Sequence, residues 1–345
     1  MQHKLISKVA IIIPCYKATN KVGTLCNQLI KIASELSKVC SISVYIIDDF
    51  CPEMSYKEVP QSEIFKVINN KKNLGVGFSS LVGFKEALKS GNQFFIKMDA
   101  DGQHPPEYLL ELVPYLLNLS NYELVLVKGT RYHYPIKNRI PFDRKLGSFL
   151  LEPLARLSLI YKGLTDIANG FIATNRMTLD YLLTVNTNTK IFSRYLFESS
   201  LLEKSCLLRC QIYQFPMSAK YGKKWRSSME SRKMIFPILS FWSKVICRRI
   251  FNQYFFNLNL GTLLLTIFAL VISYVIYTLL YLILPSISLG IFVSAGVAAS
   301  FTSMITVSSI CLCLFFFYDY SSGQRIKIIN FKYYLDDILL EKDSD

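Results

Sequence analysis

The stretch FFIKMDADGQHPPE, residues 94–107, decides the fold because it joins an apolar run to an acidic turn. FFIKM is short, aromatic and β-branched and is ended by polar residues, which is typical of a strand buried in a sheet. Asp99, Asp101 and Gln103 alternate along the chain, so an extended backbone would project them to one side at the carboxyl end of that strand. Carboxylate and amide oxygens are hard ligands that suit Mg²⁺ or Mn²⁺, although loop and helix-cap residues often have the same pattern.

Similar apolar runs alternate with helical stretches from residue 9 to about residue 215. This alternation predicts an α/β fold in which a mostly parallel sheet carries helices on both faces. In such a sheet ligands bind beyond the carboxyl ends of the strands, where IIDDF (46–50) places Asp48 and Asp49. The predicted strands are 9–13, 43–47, 64–68, 94–98 and 123–127, and the predicted helices are 21–38, 76–90 and 106–119.

The composition combines high hydrophobicity with a strong positive charge. Of the 345 residues, 51% are hydrophobic, the mean hydropathy is +0.29 and the formal net charge is +14. A chain of this charge favours an anionic partner such as nucleic acid, an acidic lipid or a phosphorylated substrate. The nine cysteines have no CxxC pair and no zinc-like spacing, which is typical of reduced thiols in the cytosol and the membrane.

Two uncharged apolar runs near the C-terminus, 259–284 and 288–318, each exceed the roughly 20 residues that a helix needs to cross a bilayer. The residues between them, 285–287, predict a tight turn, so both ends of the pair would face the same side of the membrane. Nine lysines and arginines stand against one acidic residue between 218 and 250. By the positive-inside rule this excess predicts that the bulk of the protein is cytoplasmic.

The segment 234–256 mixes aromatic, aliphatic and basic residues before the first predicted span. It predicts amphipathic helices lying in the cytoplasmic membrane interface, although a packed helix of the soluble domain has a similar pattern. The basic residues are better assigned to lipid headgroups, since no nucleic-acid-binding motif is present and no nucleic-acid partner is expected. The expected parts are a catalytic domain (1–228), juxtamembrane helices (229–257), two transmembrane helices within 258–318 (about 258–284 and 288–317) and a cytoplasmic tail (319–345).

Seven motifs between about residue 8 and residue 225 occur in the order and spacing of one enzyme family. They are VAIIIPCYKATNKV (9–22), IIDDF (46–50), NKKNLGVGFSSLVGFKEAL (70–88), MDADGQHPPE (98–107), GTRY (129–132), DRKLGS (143–148) and DIANGF (166–171). As a set they resemble the polyprenyl-phosphate glycosyltransferases, inverting family-two enzymes that include dolichol-phosphate mannose synthases and bactoprenol glucosyltransferases. The resemblance implies a GT-A (Rossmann-like) catalytic domain, and the two-span hairpin is similar to that of the bactoprenol-type members.

On the donor side, the resemblance implies a nucleotide-sugar site at the carboxyl ends of the strands. The implied ligands are Pro14 and Tyr16 for the base, Asp48 or Asp49 for the base or ribose, and Asp99 and Lys220 (or Lys223) for the donor phosphates. The implied ligands of Mg²⁺ or Mn²⁺, which would bind the donor diphosphate, are Asp99, Asp101 and Gln103.

On the acceptor side, the resemblance implies that Arg131 of GTRY and Arg144 of DRKLGS hold the lipid phosphate. A guanidinium grips phosphate with paired donors, although either arginine alone also fits a surface salt bridge. Asp166 of DIANGF completes the implied catalytic set with Asp99 and Asp101, either as a base or as a positioning residue. A base is hardly required, because the acceptor phosphate is already anionic at neutral pH.

The reaction that follows moves one sugar from a nucleotide-sugar, by this resemblance a UDP-sugar, to polyprenyl (undecaprenyl) phosphate at the cytoplasmic face of a bacterial inner membrane. The alternatives are a GDP-mannose-dependent mannose synthase and a non-catalytic membrane scaffold built on a transferase domain. The resemblance also implies a homo-oligomer, a tetramer. His104, beside the metal motif, is expected to face solvent at the start of a helix.

Overall fold

The computed structural model describes residues 7–119, 123–132, 152–185, 191, 194, 196–218, 231–255 and 257–329. The chain divides into two compact units. We call the described parts of 1–155, 163–239 and 326–345 the sheet unit, and those of 156–162 and 240–325 the hairpin unit.

A single sheet organises the described residues of the sheet unit. Its strands are β1 (Ser7–Cys15), β2 (Cys40–Asp48), β3 (Phe65–Asn69), β4 (Phe94–Lys97), β5 (Val125–Thr130), β7 (Ile172–Asn175), β8 (Gln211–Pro216) and β10 (Lys327–Ile328). Two short strands, β6 (Tyr161–Lys162) and β9 (Gln324–Arg325), pair in the hairpin unit. The strand order in the large sheet is β10-β8-β5-β7-β4-β1-β2-β3, and β7 runs antiparallel to both of its neighbours while the other pairs are parallel.

Successive side chains of a strand point to opposite faces of the sheet, and consecutive residues of β1 are buried. Helices therefore cover both faces of this sheet. Ile11 and Ile13 of β1 point to one face, where they share a core with Leu25. Ile12 points to the other face, where an added Cβ on Gly83 would overlap it. The helices are α1 (Val22–Leu36), α2 (Val76–Lys89), α3 (Leu109–Asn118), α4 (152–159), α5 (Arg176–Thr184) and α6 (Phe197–Leu207).

The predicted α/β fold is therefore confirmed, and the predicted strands and helices recur with shifts of a few residues at their ends. The helix predicted from residue 106 begins as a 3₁₀ turn at Pro106–Tyr108 and becomes α3 at Leu109. The sequence pattern does not distinguish β7, because it is short and half of its residues, Thr174 and Asn175, are polar.

The hairpin unit contains the end of α7 (Ser231–Ile250) and two long apolar helices. The first long helix runs from Leu260 to Ser288 and the second, α10, from Ala295 to Ser321. They are 29 and 27 residues long, and their most apolar stretches have mean hydropathies of 2.5 and 1.9. By length and composition, both are able to cross a membrane.

The turn between these helices lies at 289–294 and not at the predicted residues 285–287. The first helix passes through α8 (Leu260–Thr278), a π-helical turn (Leu279–Ile283) and α9 (Leu284–Ser288). Pro285 occupies the start of α9, where its missing N–H is tolerated directly after the wider π turn. α8 and α10 pack against each other.

Candidate active site

The carboxyl edge of the sheet collects most of the predicted site residues. Tyr16, Asp49, Asp99 and Arg131 each follow directly, or within two residues, the end of β1, β2, β4 or β5. Because these strands are parallel within the sheet, their ends lie at one edge. β7 runs the opposite way, so the loop that precedes it, 166–171, reaches the same edge.

The acidic turn after β4 holds its two carboxylates in different surroundings. Asp99 accepts a hydrogen bond from Lys97 Nζ at 2.9 Å, and 34% of its side chain remains exposed. Asp101 accepts a hydrogen bond from the Gln103 backbone N–H at 3.0 Å and a second from the Gln103 amide. Asp101 and Gln103 meet because the chain turns at Gly102, whose φ of 75° suits a residue without a Cβ.

The oxygen atoms of this turn fit a small divalent cation. Mg²⁺ usually binds through one or two carboxylates and completes its octahedron with water and substrate phosphates. Asp101 and Asp99 supply two such carboxylates, and one Asp99 oxygen is already occupied by Lys97. Within the described ranges, no three His, Cys, Asp or Glu side chains form a metal-binding group. The metal of this turn stays a prediction.

His104 is buried next to this turn, so the expectation that it faces solvent is wrong. Its Nδ1 accepts a hydrogen bond from the Asp99 backbone N–H at 3.1 Å. The ring packs edge-on against Phe171 with ring centroids 5.5 Å apart. Burial lowers the pKa of His104, although the neighbouring Asp99 carboxylate opposes this. A neutral ring with its proton on Nε2 therefore fixes the backbone at Asp99.

The two carboxylates at the carboxyl end of β2, Asp48 and Asp49, both accept hydrogen bonds from backbone N–H groups. Asp49 is buried and accepts hydrogen bonds from Leu74 N–H at 2.9 Å, Gly75 N–H at 2.7 Å and the Asn70 amide at 3.0 Å. It thereby anchors the loop that starts α2. Asp48 faces the Cys51 N–H at 3.3 Å, and burial raises its pKa. Contact of either residue with a base or ribose stays a prediction.

Arg131 and Asp166 form a buried ion pair across 35 residues of sequence. The Asp166 carboxylate accepts hydrogen bonds from Arg131 Nε at 2.6 Å, from its Nη2 and from its backbone N–H at 3.0 Å. Asn169 adds a fourth donor at 3.0 Å. The Asp166 N–H in turn donates to Glu152 at 2.9 Å. The residue predicted as a base thus holds the residue predicted to bind lipid phosphate.

These contacts make Asp166 a weak base. Burial alone would raise its pKa, but the charge and hydrogen bonds of Arg131, the hydrogen bond from Asn169 and the charge of Lys128 hold the pKa below its ordinary value. An ionised carboxylate that is shared between several donors has little tendency to take a proton. The geometry favours the positioning role for Asp166.

Sequence reasoning missed two buried lysines at the centre of the site. Lys97 and Lys128 are fully buried, and Lys97 Nζ bridges Asp99 and Glu198 at 2.9 and 3.0 Å. Burial would lower the pKa of Lys97, yet the two carboxylates raise it. Burial would raise the pKa of Asp99, but the charge of Lys97 lowers it to about 2. The available signal was a lysine at an inward position in each apolar strand, FFIK and VLVK.

The glycosyl transferase family 2 model matches residues 10–183, which include every strand and loop described above up to α5. The chain belongs to glycosyl transferase family 2. The resemblance found in the motifs is therefore confirmed at the level of the family. Two residues that the resemblance implies for the site, Arg144 and Lys220, lie outside the described residues, as does Lys223. Pro14 is buried in β1, and Tyr16 beside it is 45% exposed.

Two named relatives each match about half of this family 2 chain. A dolichol-phosphate mannosyltransferase from Pyrococcus furiosus is 30% identical over 178 residues, which cover 50% of this chain and 47% of that enzyme. A UDP-N-acetylglucosamine–dolichyl-phosphate N-acetylglucosaminyltransferase from Methanococcus voltae is 26% identical over 192 residues, covering 50% of this chain and 72% of that enzyme. The chain thus spans about half the length of the Pyrococcus relative it matches.

A solved structure has the same fold. The crystal structure of mannosyl-3-phosphoglycerate synthase from Rubrobacter xylanophilus aligns with a TM-score of 0.51 at 12% identity, over 72% of this chain and 75% of that one. At this identity the likeness concerns the fold alone, and the sheet unit of this family 2 chain has the GT-A architecture.

Proposed function

We propose that this protein is a membrane-bound inverting glycosyltransferase that moves one sugar from a nucleotide-sugar to a polyprenyl phosphate. The observation that carries the proposal is the sheet edge of a family 2 domain, where the loop 166–171 lies against both the acidic turn and Arg131. Two helices long and apolar enough to cross a membrane support a lipid acceptor. The two dolichyl-phosphate transferases named above support the same acceptor class.

On the donor side, Asp101, Gln103 and Asp99 would hold Mg²⁺ or Mn²⁺. When bound, such an ion neutralises charge that develops on the departing diphosphate. Asp99 would use Oδ2, because its Oδ1 is engaged by Lys97. The exposed ring of Tyr16 would stack on the base, while Asp49 fixes the adjoining loop by holding Leu74 and Gly75.

On the acceptor side, Arg131 would bind the lipid phosphate and Asp166 would keep the guanidinium in place. A phosphate oxygen of the acceptor attacks the anomeric carbon as the bond from that carbon to the diphosphate breaks, and the configuration inverts. The attacking oxygen carries no proton at neutral pH, so alignment and charge stabilisation account for most of the rate. The low pKa of Asp166 agrees with a mechanism that has no general base.

The membrane arrangement belongs to the proposal. The catalytic domain (1–228) and the tail (319–345) would lie at the cytoplasmic face of a bacterial inner membrane, with juxtamembrane helices (229–257) at the interface and the helical pair within 258–318 crossing the bilayer. Undecaprenyl phosphate would be the acceptor, a UDP-sugar the donor and a tetramer the assembly. GDP-mannose is the second donor candidate, because the Pyrococcus relative is a mannosyltransferase.

The test is sugar transfer by the full-length protein in detergent with undecaprenyl phosphate and Mn²⁺. A panel of radiolabelled UDP- and GDP-sugars is supplied, and label in the organic extract is counted. Asp101→Asn and Arg131→Ala should abolish transfer from the one active donor. Lys66→Met should not, because Lys66 forms an ion pair with Glu86 in which half of the lysine side chain is exposed. Absence of lipid-soluble label with every donor, from folded wild type, would favour the scaffold.

A further inference from the structure

Two buried lysines hold consecutive carbonyl groups of the loop 166–171. Lys97 Nζ donates to Gly170 O at 3.0 Å, and Lys128 Nζ donates to Asn169 O. Both lysines lie opposite Ile172, one on each strand beside β7. The ammonium groups therefore grip the loop from the two sides of the strand that it enters.

Burying an ammonium group costs folding free energy, so a buried lysine that the fold keeps points to a function. An ammonium group without solvent needs a paired charge, and apolar side chains of similar volume in such places are often neutral or stabilising. Lys97 has Asp99 and Glu198 as partners. The hydrogen-bond partner of Lys128 is a neutral carbonyl group. Replacing Lys128 by methionine, an apolar side chain of similar volume, should therefore cost the fold little stability.

The gripped loop touches both halves of the site. At one end Asp166 holds Arg131 through a bidentate ion pair. At the other end Gly170 lies so close to Asp99 that an added Cβ would overlap the carboxylate. A shift of this loop would therefore move the guanidinium relative to the first carboxylate of the acidic turn.

We propose that Lys97, Lys128 and Glu198 form a buried clamp that positions the loop 166–171, and with it Arg131, relative to Asp99. The three are positioning residues, and none needs to touch substrate. The inference rests on the proposed function only where it predicts kinetics, because the state of the loop is measurable without any substrate.

The first test is Lys128→Met in the full-length protein, with Lys66→Met as the matched control on an exposed lysine. Amide hydrogen exchange of peptides covering 163–172, followed by mass spectrometry, should accelerate at least about fivefold in Lys128→Met and remain unchanged in Lys66→Met. The thermal midpoint of Lys128→Met should equal or exceed that of wild type. In the transfer assay its KM for undecaprenyl phosphate should rise at least about tenfold, while the donor KM stays within about twofold.

The second test separates positioning from simple charge balance. Lys97→Met leaves the buried Glu198 and the partly exposed Asp99 without their shared partner and is expected to destabilise the fold, whereas Lys97→Met with Glu198→Gln leaves only Asp99 unpaired. The double variant should have a higher thermal midpoint than Lys97→Met, while exchange of 163–172 stays faster than in wild type. A higher midpoint together with wild-type exchange would overturn the clamp, because the lysine would then only balance the two carboxylates.

The outcomes of the two proposals are distinguishable. Unchanged exchange of 163–172 in both Lys128→Met and the double variant overturns the clamp, whatever the enzyme transfers. Absence of transfer by the wild type overturns the proposed function, while accelerated exchange would still support the clamp.

Discussion

Two buried arginine–aspartate pairs, one in each unit, are both bidentate but differ in the donors they use and in their surroundings. Arg131 pairs with Asp166 at the carboxyl edge of the sheet. Arg249 pairs with Asp319 in the hairpin unit, through Nη1 at 2.7 Å and Nη2 at 2.9 Å. In both pairs the guanidinium grips one carboxylate with two donors, which is its strongest pairing.

Neighbouring groups accept every hydrogen bond that the Arg249 guanidinium can donate. A guanidinium has five N–H donors, and every one has an acceptor here. The acceptors are both oxygens of Asp319, Ser158 O at 2.8 Å, Leu157 O at 3.3 Å and the Gln253 amide oxygen at 3.4 Å. Tyr254 OH donates to the same Asp319 carboxylate at 2.6 Å. This pair ties α4, α7 and α10 together and has no donor left for a ligand.

The Arg131 pair differs in where it lies, since it sits among loops that follow strand ends, where α/β folds bind their ligands. Bidentate pairing by itself does not identify a functional arginine. Its place in the fold decides, and the same substitution at the two arginines should therefore damage different properties.

The largest effect is expected for Arg131→Lys. Lysine keeps the charge but loses the planar fork that holds a phosphate and Asp166 together. Transfer to undecaprenyl phosphate should fall about 100-fold or more, measured as kcat/KM for the acceptor. Donor-independent Mn²⁺ binding, followed by electron paramagnetic resonance, should stay within about threefold of wild type because the acidic turn is intact.

Arg249→Lys should affect stability instead. Loss of the fork leaves part of the buried Asp319 carboxylate without a donor, which is expected to cost about 2–4 kcal/mol. Tyr254→Phe removes one hydrogen bond to that carboxylate and should cost about 1–3 kcal/mol. Thermal unfolding in detergent measures both changes. Transfer per folded molecule should stay near that of wild type, and a large loss there would make Arg249 functional.

Two glycines extend the comparison. A Cβ at Gly170 would overlap the Asp99 carboxylate, whereas one at Gly261 would overlap the Tyr254 ring. Gly170→Ala should lower transfer about tenfold or more with a small change in midpoint, and Gly261→Ala should cost about 1–3 kcal/mol of stability with transfer retained. Gly296→Ala, where an added Cβ meets open space, should change neither. Equal loss of transfer in the Gly170 and Gly261 variants would contradict the assignment.

The smallest effect is a pH dependence from Lys128. Burial lowers the pKa of Lys128 from 10.5 to about 8, so the unfolded chain binds more protons than the folded chain between those values. The free energy of unfolding should therefore rise with pH across that window. The destabilisation caused by burying the charged lysine is fully present below about pH 8. Lys128→Met should reduce the difference between the thermal midpoints at pH 7 and about pH 9.5. An unchanged difference would mean that Lys128 titrates normally.

Local patterns predicted the parallel part of the fold and the acidic turn. FFIKMDADGQ contains both its strand and its carboxylates within ten residues, so short-range periodicity is sufficient there. Pairings across long sequence distances gave no such signal. The Arg131–Asp166 pair depends on β7 running antiparallel between β4 and β5, and nothing in the short polar run IATN predicts that direction.

The buried charges were hidden for a similar reason. Lys97 is the one charged residue in the apolar run FFIKM, and nothing in that run shows which buried groups its ammonium group meets; the residue is fully buried. Its partner Glu198 lies 101 residues away. The turn of the hairpin moved by a few residues because Pro285 suggested a break, while a π turn before it lets the helix continue.

The most direct measurement is transfer of radiolabelled sugar to undecaprenyl phosphate by wild type, Arg131→Lys and Arg249→Lys, each scaled to its folded fraction. We expect label in the lipid extract from one donor for wild type and Arg249→Lys, and about one hundredth of that or less for Arg131→Lys. Equal activity of the two arginine variants, or no lipid-linked label from folded wild type with any donor, would contradict it.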